Sequence, residues 1–175
     1  RSVAIDLKQS SGVETLLGLV READVLVESF RPGVMDRLGV GWEVLSACAP
    51  TLIYCAITGY GQKTVRSQLA GHDLNYQART GLLGLCAGSD GTPGMPAILA
   101  GDIAGGSWPA VVNILLALRR RDRTGEGCYI DIAMAENLLT FQFLGLAMGQ
   151  GAAAWPRPGG GQLTGGSPRY RIYRT

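Results

Sequence analysis

Strand-like and helix-like patterns alternate along this chain, and the alternation constrains its fold more than any other feature. Short apolar, β-branched runs at 24–28, 52–57 and 129–132 predict buried strands. Between them, apolar residues recur at helical spacing, most clearly over 104–120, where arginines cluster at the C-terminal end. Strands separated by helices predict an α/β fold with a parallel sheet.

Further patterns predict the rest of the chain. Ser11 and Glu14 have the spacing of a capping box ahead of a helix. The remaining predicted elements are helices near 13–20, 34–38, 42–47, 73–85 and 134–148, strands over 3–7 and 169–173, and a Gly/Pro/Ala-rich linker over 150–167. Because a chain seldom begins and ends inside a strand, we expect these residues to be the interior of a longer protein.

Composition excludes several classes of function. The 16 Lys and Arg residues against 14 Asp and Glu are too balanced for the basic face of a nucleic-acid binder. Neither a G-x-G-x-x-G nor a P-loop sequence is present, which argues against nicotinamide dinucleotide or P-loop nucleotide binding. The apolar runs at 111–118 and 138–148 are too short or interrupted to span a bilayer, so we expect no membrane association.

Cysteine usage favours a reducing compartment. The four cysteines lack CxxC or metal-ligand spacing, and each lies in an apolar context. We therefore expect small buried thiols, no metal site and a cytoplasmic location.

His72 is the only histidine and follows a glycine where a long polar loop meets a predicted helix. Ligands and anions often bind at such junctions, which makes His72 a candidate for chemistry. The alternative is a histidine that merely caps the helix with its ring bonded locally. The neighbouring Asp73 is a possible N-cap itself.

Asp102 is the second candidate, because it lies within an apolar run just before a long predicted helix. An N-cap role would account for the aspartate alone. It would not account for Gly101, Gly105 and Gly106, which remove side chains from both flanks, as close approach by a ligand requires.

The loop 28–33 is the third candidate, since it follows a predicted parallel strand at the edge where open α/β sheets bind ligands. Arg31 and the nearby Arg37 could bind phosphate, and Phe30 could stack on a base. A solvated loop with one aromatic anchor explains the same residues equally well.

Four ordered motifs resemble the family III CoA-transferases, also called the CaiB/BaiF type, over nearly the whole chain. They are RSVAIDLK at 1–8, ADVLVESFRPGVMDRLG at 23–39, LIY…TGYG at 52–61 and TGEGCYIDIAM at 124–134. The run GHDLNY at 71–76 resembles the α-methylacyl-CoA racemase branch, since transferase members more often have tyrosine where His72 stands. Asp102, thirty positions later, falls on the family's catalytic aspartate.

The resemblance implies an architecture. Residues 1–149 would be an incomplete Rossmann-like, CoA-binding large domain, and residues 150–175 a linker and first strand leading to an absent small domain. Complete members form interlocked homodimers and place a further glutamate near the site, beyond this chain's end.

The resemblance also implies a ligand and its contacts. The substrate would be an acyl-CoA, with no cofactor beyond the coenzyme A of that thioester. The implied contact residues are Ile5, Asp6, Leu7, Lys8, Phe30, Arg31, Arg37, Gly71, His72, Asp73, Leu74, Asn75 and Tyr76.

Three functions follow as hypotheses. A racemase would use His72 and Asp102 as an acid/base pair that epimerises 2-methylacyl-CoA thioesters through an enolate. A CoA-transferase would use Asp102 as a nucleophile. The third hypothesis is a CoA-binding or dimerisation fragment that lacks activity because half the fold is absent.

Overall fold

The chain divides into two units. The computed structural model describes residues 1–86, 92, 94–152, 160 and 165–173. Unit 1 comprises Arg1–Leu69 and Gly106–Ala133, and unit 2 comprises Ala70–Gly105 and Met134–Thr175.

A three-stranded parallel sheet lies at the centre of unit 1. Its strands are β1 (Val25–Glu28), β2 (Ile53–Thr58) and β3 (Cys128–Ala133), in the order β1-β2-β3. All but one residue of β2 are buried, which explains why its sequence is continuously apolar rather than alternating. The prediction of an α/β fold with a parallel sheet is confirmed. The ends of these three strands lie within one residue of the ends predicted from the sequence.

Helices flank both faces of this sheet. They are α1 (Ser10–Arg21), α2 (Val34–Arg37), α3 (Trp42–Cys48) and α6 (Trp108–Thr124). Tyr54 and Ala56 of β2 pack into one buried cluster with residues of α1 and α3. Cys55, between them in sequence, packs with Ala110 of α6 in a second cluster, as the two-residue period of a strand requires.

The start of unit 1 differs from the prediction. Residues 3–7 form no strand, because they pair with no other strand in the described part of the chain. Asp6 instead makes a turn, in which its side chain accepts the Lys8 N–H at 3.0 Å. Helix α1 has Gln9 at its N-cap, so the predicted capping box of Ser11 and Glu14 is wrong. Both residues lie inside the helix.

Unit 2 begins with a broken helix. Helix α4 (Asp73–Thr80) ends at Gly81, whose φ of 83° is the left-handed conformation that glycine adopts without strain, and α5 (Leu82–Leu85) follows. The predicted single helix over 73–85 is therefore divided by Gly81. Gln142, a buried residue, donates its side-chain N–H to the Thr80 carbonyl at 2.5 Å and so satisfies the end of α4.

The later part of unit 2 is helical but interrupted. Helix α7 (Met134–Leu138), a 3₁₀ turn (Leu139–Gln142) and α8 (Phe143–Ala152) replace the single helix predicted over 134–148. The predicted linker begins inside α8, and residues 153–159 and 161–164 lie outside the described residues. The strand predicted over 169–173 is wrong, since this segment has only an isolated antiparallel bridge between Ser167 and Tyr170. The division at residue 150 into a large domain and a linker stays a prediction.

A π-helical turn (Gly101–Ser107) leads into α6, so the helical segment starts before the predicted residue 104. The span Gly101–Thr124 is long and apolar enough to cross a membrane, a test that core helices of water-soluble proteins also pass. Only 28% of its most apolar window is buried. The absence of membrane association stays a prediction.

The cysteines are all free, but they differ in burial. Cys55 is buried, Cys48 and Cys128 are half-buried, and Cys86 is exposed. The prediction of buried thiols is therefore wrong for Cys86, because that residue lies beyond the last turn of α5.

Candidate active site

His72 lies at the N-terminus of α4 in unit 2, where a helix was predicted to begin. Its backbone N–H donates to Asn75 Oδ1 at 2.9 Å, and its carbonyl accepts the Asn75 N–H at 2.8 Å. His72, rather than Asp73, is thus the N-cap residue. Its side chain is exposed, so the ring is accessible for chemistry.

Asp102 lies in the π-helical turn of the same unit and is half-buried. It is inside a helix, so the N-cap role considered for it is wrong. π-helical turns are rare and often occur at functional sites, which agrees with a chemical role for this carboxyl.

Asp73 joins these two segments. Its Oδ1 accepts the backbone N–H of Gly101 at 2.5 Å and that of Asp102 at 3.1 Å. Its Oδ2 accepts the side-chain N–H of Gln77 at 2.6 Å. The carboxylate that follows His72 in sequence therefore holds the backbone that carries Asp102.

Packing within the protein explains two of the glycines. A Cβ at Gly101 would lie 2.9 Å from Asp73 Oδ1 and 3.2 Å from a ring carbon of Tyr76. A Cβ at Gly105 would overlap the Met134 carbonyl. Close approach by a ligand, which the sequence suggested for these glycines, is not needed to account for either.

The surroundings of Asp102 favour its protonated form. Burial raises the pKa of Asp102 above its ordinary value of 3.8, and the negative charge of Asp73 raises it further. The charge on His72 lowers the same pKa, so the two candidate residues are within electrostatic reach of each other. Unit 2 thus brings together an accessible imidazole and a carboxyl that holds its proton more tightly than usual.

Unit 1 has a cavity of about 710 Å³, and Arg31 and Arg37 both line it. Lys63 adds a third cation to the wall, and Trp42 and Tyr54 add aromatic surface. Cations suit phosphate groups and aromatic rings suit a nucleobase. Three acidic residues, Glu28, Asp36 and Glu43, line the same cavity, so basic and acidic residues are equal in number there.

Glu28 anchors the loop that carries these arginines. Its Oε2 accepts the Phe30 N–H at 2.7 Å, and its Oε1 accepts the Tyr54 hydroxyl at 3.3 Å. Burial is the main cause of the raised pKa of Glu28. Tyr54 stacks on Tyr129, its partner in the β2–β3 register, with ring centroids 5.2 Å apart. Sequence reasoning missed this aromatic pair, although equivalent tyrosines on two parallel strands were the available signal.

Several predicted CoA contacts do not line that cavity. They are Ile5, Asp6, Leu7, Lys8 and Phe30, of which Phe30 is 49% exposed. In unit 2, the side chains of Asp73 and Tyr76 are buried, and the Tyr76 hydroxyl donates to the Gly71 carbonyl at 2.6 Å. Any ligand contact at those two positions must therefore use the backbone. The proposed contacts themselves stay predictions.

No cluster of three or more metal-ligating side chains occurs among the residues that the structure describes. The described groups of unit 2 that suit acid/base chemistry include the His72 imidazole and the Asp102 carboxyl.

Comparison with known proteins identifies relatives along the whole chain. A family model described as CoA-transferase family III matches residues 1–175. Alpha-methylacyl-CoA racemase from Mus musculus is 41% identical over 179 residues, which cover 100% of this chain and 46% of that protein. Succinyl-CoA:glutarate CoA-transferase from Mus musculus is 38% identical over 142 residues, covering 81% of this chain and 31% of that protein. The chain thus spans less than half the length of these relatives.

A solved structure has the same fold. The crystal structure of a CaiB/BaiF family protein from Brucella suis matches with a TM-score of 0.85 and 33% sequence identity. The match covers 90% of this chain and 42% of that protein.

Proposed function

Since this chain belongs to CoA-transferase family III, we propose that its full-length protein is a racemase that epimerises 2-methylacyl-CoA thioesters. The racemase relative is 41% identical and aligns with the whole chain. The transferase relative aligns with 81% of it. The racemase relative has the higher sequence identity and covers more of this chain, and both facts favour the racemase.

The proposed reaction is a 1,1-proton transfer by His72 and Asp102. One of the two residues removes the proton on the carbon next to the thioester carbonyl, and the electron pair of that C–H bond passes into an enolate. The other residue returns a proton to the opposite face, which inverts the centre and exchanges the protonation states of the pair. The backbone N–H groups of Asp73 and Leu74, the first two residues of α4, have no carbonyl of an earlier helical turn to bind and are suited to bind the enolate oxygen.

The observation that carries this proposal is the contact between the two segments, in which Asp73, next to His72 in sequence, accepts the backbone N–H of Asp102 at 3.1 Å. A racemase needs one group protonated and the other not, at the same pH. Burial and the charge of Asp73 raise the pKa of Asp102 and so bring it towards that of an imidazole. An accessible imidazole in the same unit supplies the complementary base.

Binding of the CoA moiety is assigned to unit 1 in this proposal. Arg31, Arg37 and Lys63 carry the positive charge that the pyrophosphate and 3′-phosphate require. The proposal includes an interlocked homodimer, a cytoplasmic location and no cofactor beyond the CoA of the substrate.

The experiment uses the full-length protein and one enantiomer of a 2-methylacyl-CoA in D₂O. We expect deuterium to appear at the α-carbon together with loss of optical activity. Asp102→Asn and His72→Ala should each abolish racemisation, whereas Glu136→Gln, an exposed residue of unit 2, should not change it. Racemisation at the wild-type rate in both active-site variants would show that the assignment is wrong.

CoA transfer is the second candidate, and the 38% identity to a transferase supports it. The Asp102 carboxylate would attack the acyl thioester and release CoA thiolate, leaving a mixed anhydride. The thiolate would then attack the Asp102 carbonyl of the anhydride, which forms an aspartyl-CoA thioester and releases the donor acid as its carboxylate. Incubation with acyl-CoA and an acceptor acid, followed by hydroxylamine, distinguishes the two reactions. A CoA adduct on Asp102 without α-deuterium uptake would favour transfer.

The third hypothesis concerns the 175-residue chain by itself. Activity of this segment alone would exclude an inactive fragment, whereas an inert monomer or aggregate would support one.

A further inference from the structure

Asp73 is the only buried charged residue in the part of the chain that the structure describes, with 7% of its surface exposed. Burial of a carboxylate is costly unless hydrogen bonds satisfy it. Three donors do so, namely the N–H groups of Gly101 and Asp102 and the side chain of Gln77. Asp73 is not the N-cap of its own helix, because His72 is. Its Oδ1 instead satisfies the first two N–H groups of the helical segment that begins at Gly101, and the use of a charged residue of α4 for this contact needs an explanation.

The position of Asp73 in the chain supplies that explanation. It is covalently bonded to His72, and its carboxylate holds the backbone of Asp102, which lies 29 residues away in sequence. The one residue therefore fixes both members of the proposed acid/base pair relative to each other. We propose that Asp73 is a positioning residue that fixes the backbone of Asp102 relative to His72, so that both side chains can reach the α-carbon of one substrate. The inference rests on the proposed function of those two residues.

The charge of Asp73 has a second consequence at the same place. It raises the pKa of Asp102, after burial, while His72 lowers it. Gln77 beside Asp73 is neutral, and Glu136 on α7, which packs against α4, is exposed. Removal of the Asp73 charge should therefore lower the pKa of Asp102. A purely structural role would not change the pKa of Asp102, so a shift in that pKa distinguishes the two roles.

The competing role for Asp73 is a contact with CoA. A binding residue would change KM and leave kcat unchanged, whereas a residue that positions a reacting group changes kcat. The buried side chain of Asp73 and its three protein donors favour the second outcome.

The test compares Asp73→Asn and Asp73→Ala in the full-length protein, with Glu136→Gln as a control that removes the same charge from an exposed site of the same unit. Asparagine retains an oxygen that can accept the two backbone N–H groups, but it lacks the charge. Its pH–rate profile should therefore show the limb set by Asp102 at lower pH, whether Asp102 acts as the base or as the acid.

Alanine removes both the charge and the hydrogen bonds. We expect kcat to fall by about 10- to 100-fold, since a displacement of about 1 Å has that effect on a reacting group. KM for the thioester should stay within about twofold of the wild type. The control variant should leave kcat, KM and the pH profile unchanged.

A raised KM with unchanged kcat in Asp73→Ala would overturn the proposal. So would a loss of kcat in Asp73→Asn as large as that in Asp73→Ala, because asparagine keeps the oxygen that accepts the two N–H groups. If Asp73→Ala fails to fold, kcat of Asp73→Asn at its own pH optimum still decides, since a loss of about 10-fold or more there would overturn the proposal. Asp102→Asn is measured in parallel, because full activity in that variant would instead refute the proposed function on which the inference rests.

Discussion

The contact between Gly101 and Asp73 leads to a prediction whose size can be derived from the structure. In Gly101→Ala, the new Cβ would lie 2.9 Å from Asp73 Oδ1, 3.2 Å from the Asp73 carbonyl oxygen and 3.2 Å from the Tyr76 ring. Real Cβ atoms do not approach other atoms to 2.9 Å. Asp73 and Tyr76 are both buried, so neither can swing into solvent. The carboxylate must shift and lose part of its bonding to the Gly101 and Asp102 N–H groups.

The expected loss of stability combines three effects. Overpacking a buried site costs about 1–3 kcal/mol. A weakened hydrogen bond to a charged acceptor costs up to about 1.5–3 kcal/mol. The higher helix propensity of alanine stabilises the folded state by about 1 kcal/mol relative to glycine. The net destabilisation of Gly101→Ala is therefore about 2–4 kcal/mol, allowing for incomplete additivity between contacting groups.

Gly84→Ala is the matched control. Gly84 lies in α5 of the same unit, and a Cβ there would meet nothing within 4 Å. The control should gain up to about 1 kcal/mol from helix propensity alone. Urea unfolding of both full-length variants, followed by circular dichroism, measures the difference. A midpoint for Gly101→Ala equal to or above that of Gly84→Ala would refute the close packing at Asp73.

Three further predictions concern binding, thiol reactivity and pH. Arg37→Ala should raise KM for the CoA thioester by about 10- to 100-fold with kcat unchanged, because one phosphate partner is lost. Arg21→Ala, at an exposed position in α1, should leave both constants unchanged in the same steady-state assay. A thiol reagent at pH 8 should modify exposed Cys86 in the native protein but modify Cys55 only after unfolding, since burial raises the pKa of Cys55 to about 11. Mass spectrometry of the labelled peptides measures the order of modification. Labelling of Cys55 before Cys86 would contradict the burial of Cys55. The raised pKa of Asp102 means that the folded state binds its proton more tightly than the unfolded state does, so its stabilising contribution is lost as pH rises through the folded pKa. Asp102→Asn should accordingly have a higher free energy of unfolding than the wild type at pH 7, and this difference should shrink towards pH 4. Urea unfolding at several pH values measures it. A difference that grows on acidification would contradict the raised pKa of Asp102.

The strands that could be predicted from sequence are the three that pair in the central sheet. The run in β2 is continuously apolar because both faces of that strand are covered, and this pattern is local. The alternation at residues 3–7 has the same local character. It forms no strand because pairing requires a neighbouring strand, which a local pattern does not reveal.

The two acid/base candidates were also predictable, because an isolated histidine and an aspartate among glycines are visible in the sequence. The bonds of Asp73 to Gly101 and Asp102 were not, since they join residues 28 and 29 positions apart. The division of the predicted helix at Gly81 depends on one left-handed residue, and a glycine within an apolar helical pattern does not identify its own conformation.

Helix α4 is fixed at both ends. Asp73 bonds its first turn to Gly101 and Asp102, and Gln142 bonds to the carbonyl of Thr80 in its last turn. The amide hydrogens of Gly101 and Asp102 can therefore exchange with solvent deuterium only when the bonds to Asp73 open. Their exchange rates would report local opening around the candidate active site, separately from global unfolding of the protein.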